Sequence, residues 1–185
     1  MKVAKSYSDF ILKHAGLKWL LALNALYVFW IAAMMPFLAA SFSSADAPGP
    51  LDLSFAYSAS EAFDRVAQFG AAGRHNYMVF LLTADVIYPV IYTATLSFTI
   101  AFLAKKAAIA EHLTRLLTAL PVIVFMLDIC ENISISSLLW SFPAKIVPLA
   151  WAASIFTSLK WTGVATAMFI TLTLLALAIF KAMRK

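Results

Sequence analysis

The sequence predicts an all-α membrane protein: a four-transmembrane-helix bundle with an outer surface loop, a short amphipathic helix in that loop, and both termini in the cytoplasm. Three observations predict it. The 185 residues are 63% hydrophobic and only 12% charged, with a mean hydropathy of +0.88, whereas a soluble domain carries about 25% charged residues. The apolar residues fall into four runs, each long enough for the roughly 20 residues with which a helix crosses a bilayer. The basic residues stand beside the ends of those runs rather than in a patch. The net charge of +5 therefore reads as topology and argues against nucleic acid as a partner. Residues 1–185 are expected to form one integral membrane domain.

The first span is expected at about 19–40, behind Lys2, Lys5, Lys13 and Lys18. Ala45-Asp46-Ala47 has the form of a signal-peptide cleavage site. The apolar run before it is about 22 residues, against about 7–15 for a signal h-region, so a retained helix is preferred. Asn24, Tyr27 and Trp30 could give that helix a polar face, although such residues more often make one interhelical hydrogen bond and an interfacial anchor. An outer loop succeeds it at 41–76, rich in Ser, Ala, Pro, Gly and Asp, in which Pro48-Gly49-Pro50 forbids a continuous helix. Ser58 and Glu61 have the spacing of a capping box, and Phe63, Val66 and Phe69 then recur on one side of the chain. They predict a short surface helix ended by Gly70 and Gly73. Arg74 and His75 then stand before the second span, and Tyr77 reads as an aromatic-belt residue.

The second span is expected at about 77–104. Within it Asp85, Tyr88 and Tyr92 fall at i, i+3 and i+7, one stripe of a helix. Pro89 has no N–H to give to the carbonyl of Asp85, so that carbonyl is left without its usual donor. Lys105, Lys106, His112 and Arg115 mark a short basic connection. The third span, about 116–142, carries Asp128, Glu131, Asn132 and Ile135 on one stripe. Lipid cannot be what that stripe faces, because each carboxylate near a bilayer centre costs roughly 2.5–3.5 kcal/mol on the translocon scale. From Pro148 onward a helical pattern runs well beyond one bilayer thickness, divided by Lys160 and Trp161. Residues 147–158 read as an interfacial segment or an extension of the helix, and about 161–181 as the fourth span. Gly163 and Ala167 form a small-xxx-small pair that would let a neighbour approach closely.

Counting lysine and arginine near the spans puts both termini in the cytoplasm, in the cell inner (plasma) membrane. At 1.5 Å per residue, Asp85 and Glu131 then fall in the outer leaflet, Asp128 nearer the middle and Lys160 at the outer level. The expected site is a polar pocket near the outer leaflet, open or nearly open to the outer face. Asp85, Tyr88, Tyr92, Asp128, Glu131 and Asn132 line it, with Lys160 and Arg74 at the rim. A polar clamp that only fixes helix pairing is the plainer reading. Three acids plus two phenols exceed what a clamp needs, and ionisable groups inside a membrane point to function by default.

The pattern Asp85-x-x-Tyr88-Pro89-x-x-Tyr92, with Asp128-x-x-Glu131-Asn132 after it and Gly73-Arg74-His75-Asn76-Tyr77 before it, resembles a group of small uncharacterised bacterial four-helix integral membrane proteins. The resemblance runs from about Glu61 onward. It implies that these residues form one site, and it brings no known activity.

Several chemistries are set aside by residue type. No span contains a histidine, which argues against a haem held by paired imidazoles. The last span has no mid-membrane lysine for a retinal Schiff base. Neither Glu-x-x-His nor His-Glu-x-x-His occurs, nor a glycine-rich phosphate loop, and the single Cys130 excludes an internal disulfide. Three functions remain. The first is binding or carrying a small lipophilic or cationic molecule. The second is an intramembrane enzyme acting on a lipid or isoprenoid, with Glu131 or Asp128 as general acid or base. The third is a conducting element or an accessory subunit of a larger membrane complex. The residues do not identify a cofactor, and no metal is expected; were a metal to bind, Asp85, Asp128 and Glu131 would suit magnesium or calcium. The expected partners are membrane lipids and a small-molecule ligand, with a homo-oligomer also open.

Overall fold

A computed structural model of the chain describes residues 2–42 and 49–184, and among them every regular element is helical. The Ala45-Asp46-Ala47 motif and Pro48 lie outside the described residues. The helices are α1 (Lys2–His14), α2 (Leu17–Ala39), α3 (Ala59–Gln68), α4 (Gly70–Lys106), α5 (Glu111–Ser141) and α6 (Val147–Met183). All but α1 and α3 are long and apolar enough to cross a membrane, which makes this a multi-pass membrane protein by length and composition.

Local sequence explains the interruptions. In α2, Pro36 has no N–H for the carbonyl four residues back, and the turn before it, Trp30–Met34, widens so that the Met35 N–H reaches the Trp30 carbonyl. The expected capping box opens α3: the Ser58 hydroxyl accepts from the Glu61 N–H, and the Glu61 carboxylate accepts from the Ser58 N–H. Gly70, at φ +64°, turns the chain out of α3. Gly73 does not contribute to this stop, because the next helix has already begun at Gly70. Within α4 the regular bonds break at Thr83, whose φ and ψ are −127° and −83°. Residues 147–158 prove to be an extension, since α6 runs unbroken from Val147.

The chain divides into two compact units. One comprises Met1–Val28, Val90–Phe125 and Thr162–Lys185. There the Tyr7 hydroxyl donates to Ser97 Oγ at 2.9 Å, and the Ser97 hydroxyl donates to the Thr118 carbonyl at 3.1 Å. Ser8 donates to the Arg115 carbonyl at 3.2 Å, and Arg115 pairs with Asp9 at 2.7 Å. Gly163 lies so close to α5 that an added Cβ would stand 2.7 Å from Val124 Cγ2. The small-residue face of α6 is thus met at Gly163 by this chain's own α5, and Ala167 is fully buried.

The other unit comprises Phe29–Pro89 and Met126–Trp161. Its core gathers Phe42, Leu51, Val66, Phe69, Phe80, Leu81, Ile135 and Leu138 around Tyr77. Phe42 stacks on the Tyr77 ring at 4.7 Å. Tyr77 is therefore not the aromatic-belt residue that its place at a span's start suggests: it is fully buried, because loop and helix both pack over it.

Candidate functional site

The stripe on α5 is built as its spacing requires, and it is closed from solvent. Asp128 exposes 2% of its surface, Glu131 0% and Asn132 1%, and on α4 Asp85 exposes 4%. The break at Thr83 puts Asp85 in the first turn of the helical run from Ala84, where the positive end of the peptide dipoles favours a carboxylate. One turn on is Pro89, and the carbonyl of Asp85 that it strands is met from the neighbouring helix: the Asn132 amide donates to it at 2.9 Å. One side chain of the α5 stripe therefore repairs the defect that proline makes in α4.

Lys160, expected at the rim, lies at the centre of the cluster. It exposes 8% of its surface, and its ammonium pairs with Glu131 Oε2 and stands 3.9 Å from Asp128 Oδ1. It also donates to the Asp52 carbonyl at 3.4 Å and sits 5.5 Å from the Trp161 ring centroid. The correction has a simple cause. A lysine cannot be buried without counter-charge, and two acids one turn apart on α5 supply it.

Sequence reasoning missed the floor on which this rests. Residues Leu51–Leu53 form a single tight turn that buries Asp52 at 6% exposure. The Tyr77 hydroxyl donates to Asp52 Oδ1 and accepts from the Leu51 N–H at 3.0 Å. The Trp161 indole N–H donates to the Asp52 carbonyl at 2.9 Å. Further along, the Ser158 hydroxyl donates to the Phe55 carbonyl at 2.8 Å, and the Tyr57 N–H donates to Ser154 Oγ at 3.0 Å. Burial pushes the Tyr57 phenol well above its usual range, offset in part by the neighbouring Thr157 hydroxyl. Ser154, Thr157, Ser158 and Trp161 recur at i, i+3, i+4 and i+7, so α6 offers the loop one continuous polar stripe. That stripe was the available signal. Asp52 gave none, because an acid in a Pro- and Ser-rich loop reads as solvated.

Of the other expected residues, Tyr88 is half-buried one turn after Asp85, and Tyr92 is buried and belongs to the other unit. Arg74 does not join the acids. Its guanidinium donates to the Val66 carbonyl at 3.3 Å, near the end of α3, and lies 3.9 Å over the Phe142 ring. It serves as a C-terminal cap. Among the described residues no three of His, Cys, Asp and Glu lie close enough to hold a metal ion, so Asp85, Asp128 and Glu131 are not gathered into the carboxylate set that magnesium or calcium would need.

Two acceptors of this centre are left over: Asp85 Oδ2 and Asn132 Oδ1 are buried and receive no hydrogen bond from the described residues, whereas the Glu131 carboxylate has Lys160 and the Thr157 hydroxyl as partners. Buried acids also outnumber buried bases here, with Asp52, Asp85, Asp128 and Glu131 against Lys160. Chemically, such a centre asks for hydrogen-bond donors and positive charge. No protein-family model, curated protein or solved structure matches the chain, so what the site does has to be argued from this geometry.

Proposed function

We propose that the chain is a multi-pass protein of the cell inner membrane, with both termini cytoplasmic, that binds or carries a small lipophilic molecule with a cationic end. The binding centre is Asp85, Asp128, Glu131 and Asn132, near the outer leaflet. The observation that carries this reading is the pair of buried acceptors without donors among the described residues, Asp85 Oδ2 and Asn132 Oδ1. A buried polar atom left unsatisfied costs about 1–3 kcal/mol, and more when charged. An alkylammonium head brings both the N–H donors and the charge that Lys160 alone does not supply. The loop residues Leu51–Tyr57 lie against the same centre and would exclude water around the bound head.

The test is thermal unfolding of the purified protein in detergent with dodecylamine, and with dodecanol as the uncharged control. Dodecylamine is expected to raise the melting temperature, at about 2–4 °C per kcal/mol of binding for a chain of this size. Dodecanol should leave it unchanged, and Asp85→Asn and Glu131→Gln should each abolish the amine's effect. Equal stabilisation by amine and alcohol, or an undiminished amine effect in both variants, would contradict the reading.

A further inference from the structure

The unit formed by Met1–Val28, Val90–Phe125 and Thr162–Lys185 contains a groove of about 860 Å³ that the acidic centre does not use. Phe10 of α1, Val90 and Phe98 of α4, and Ala119, Ile123 and Phe125 of α5 wall it. Phe10, Val90 and Ile123 each leave more than half of their surface uncovered, at 55%, 55% and 58%. The two hydroxyls on its walls are already spent. Tyr7 donates to Ser97 at 2.9 Å, and Thr93 donates to the Pro121 carbonyl at 3.3 Å. The walls thus offer a guest hydrocarbon contact and no free hydroxyl proton. The groove is also held open: the bonds from Tyr7 and Ser8, with the Asp9–Arg115 pair, tie α1 to α4 and α5, so α1 cannot swing in to fill it.

Two of the wall rings have polar neighbours from the end of α1 and the start of α2. His14 packs on the Phe10 ring, centroids 4.4 Å apart, and Trp19 packs on Phe98 at 6.1 Å. Lys13 and Lys18 flank these residues, and the stretch from Phe10 to Leu20 contains no acid. The nearest acid before it in sequence, Asp9, is occupied by Arg115 at 2.7 Å. An apolar trough whose wall rings Phe10 and Phe98 carry His14 and Trp19, each next to a lysine in sequence, matches one kind of molecule in a membrane. We infer that this groove holds one anionic phospholipid, with an acyl chain along Phe10, Val90 and Ile123 and the phosphate at His14 and Lys18.

The experiment uses the full chain, delipidated in detergent and supplied with phosphatidylglycerol or with phosphatidylcholine of the same acyl chains. Native mass spectrometry reads the bound lipid, and thermal unfolding reads its effect. One phosphatidylglycerol is expected to remain bound and to raise the melting temperature more than phosphatidylcholine does. Ala119→Phe fills the trough and should lose both effects, with Ala94→Phe as a second filling variant should the first not fold. His14→Gln combined with Lys18→Gln should keep lipid binding but lower the preference for phosphatidylglycerol by about fivefold to thirtyfold, as about 1 kcal/mol for one or for both basic residues implies. Equal binding of the two lipids by the unaltered protein, or retention by the filled variants, would overturn the proposal. So would a dimer that the filled variants dissolve, since a second copy would then be the occupant.

Discussion

Pro89 and Asn132 stand 43 positions apart and are coupled through one oxygen atom. Proline removes the donor for the Asp85 carbonyl, and the Asn132 amide replaces it at 2.9 Å. Asn132→Leu should therefore destabilise the protein by about 1–3 kcal/mol, the cost of an unsatisfied buried group. In Pro89→Ala the backbone N–H returns, and Asn132→Leu should cost measurably less on that background. A double-mutant cycle on denaturation free energies checks it, and strict additivity would show that the contact carries no energy. The acid stripe and the stranded carbonyl were legible in the sequence because both arise from spacing within a single helix. Asp52 and the central position of Lys160 were not. Each depends on which distant segment packs against it, and helical periodicity carries no record of that.

At the scale of the element, the helix boundaries reflect capping chemistry more than apolar length. The Glu61 carboxylate accepts from the Ser58 N–H at 2.7 Å and from its hydroxyl at 2.8 Å. The backbone bond first, and then the hydroxyl, hold its pKa below the usual carboxylate value. A carboxyl depressed in the folded state stabilises the fold above its unfolded pKa and loses that contribution as pH falls through the folded value. Amide protection in Ala59–Gln68, corrected for intrinsic exchange, should therefore decline as the medium is acidified through and below pH 4.5. Glu61→Gln should already be weakened at neutral pH and should show no such acid dependence, and protection that is independent of pH in the unaltered protein would refute the capping account. Gly163 gives a second test. With Val124 Cγ2 only 2.7 Å from where a Cβ would stand, Gly163→Ala should destabilise by about 1–3 kcal/mol, and Val124→Ala should recover most of that loss. Sequence showed that Gly163 and Ala167 invite a close neighbour. It could not show that at Gly163 the neighbour is α5 of the same chain. The extra turns of α4 before Tyr77 were hidden as well, because two glycines read as a stop when only Gly70, at φ +64°, acts as one.

For the whole molecule, composition alone indicates a helical, multi-pass membrane protein, because a chain that is 63% hydrophobic with four long apolar runs has no other economical way to satisfy its backbone in lipid. What composition does not reveal is the closure of its charged centre. The open pocket expected from charge and depth becomes, in the folded chain, a closed cluster resting on Leu51–Tyr57, a segment pinned to Ser154, Ser158 and Trp161. A clamp that merely pairs helices would satisfy its own acceptors. This one leaves Asp85 Oδ2 and Asn132 Oδ1 without donors among the described residues. The most direct measurement is a high-resolution cryo-EM map of the protein purified from its native membrane. Non-protein density is expected within hydrogen-bond reach of these two oxygens, at about 2.7–3.2 Å. A dry centre in which the carboxyl groups donate to one another, with no density between them, would contradict that expectation.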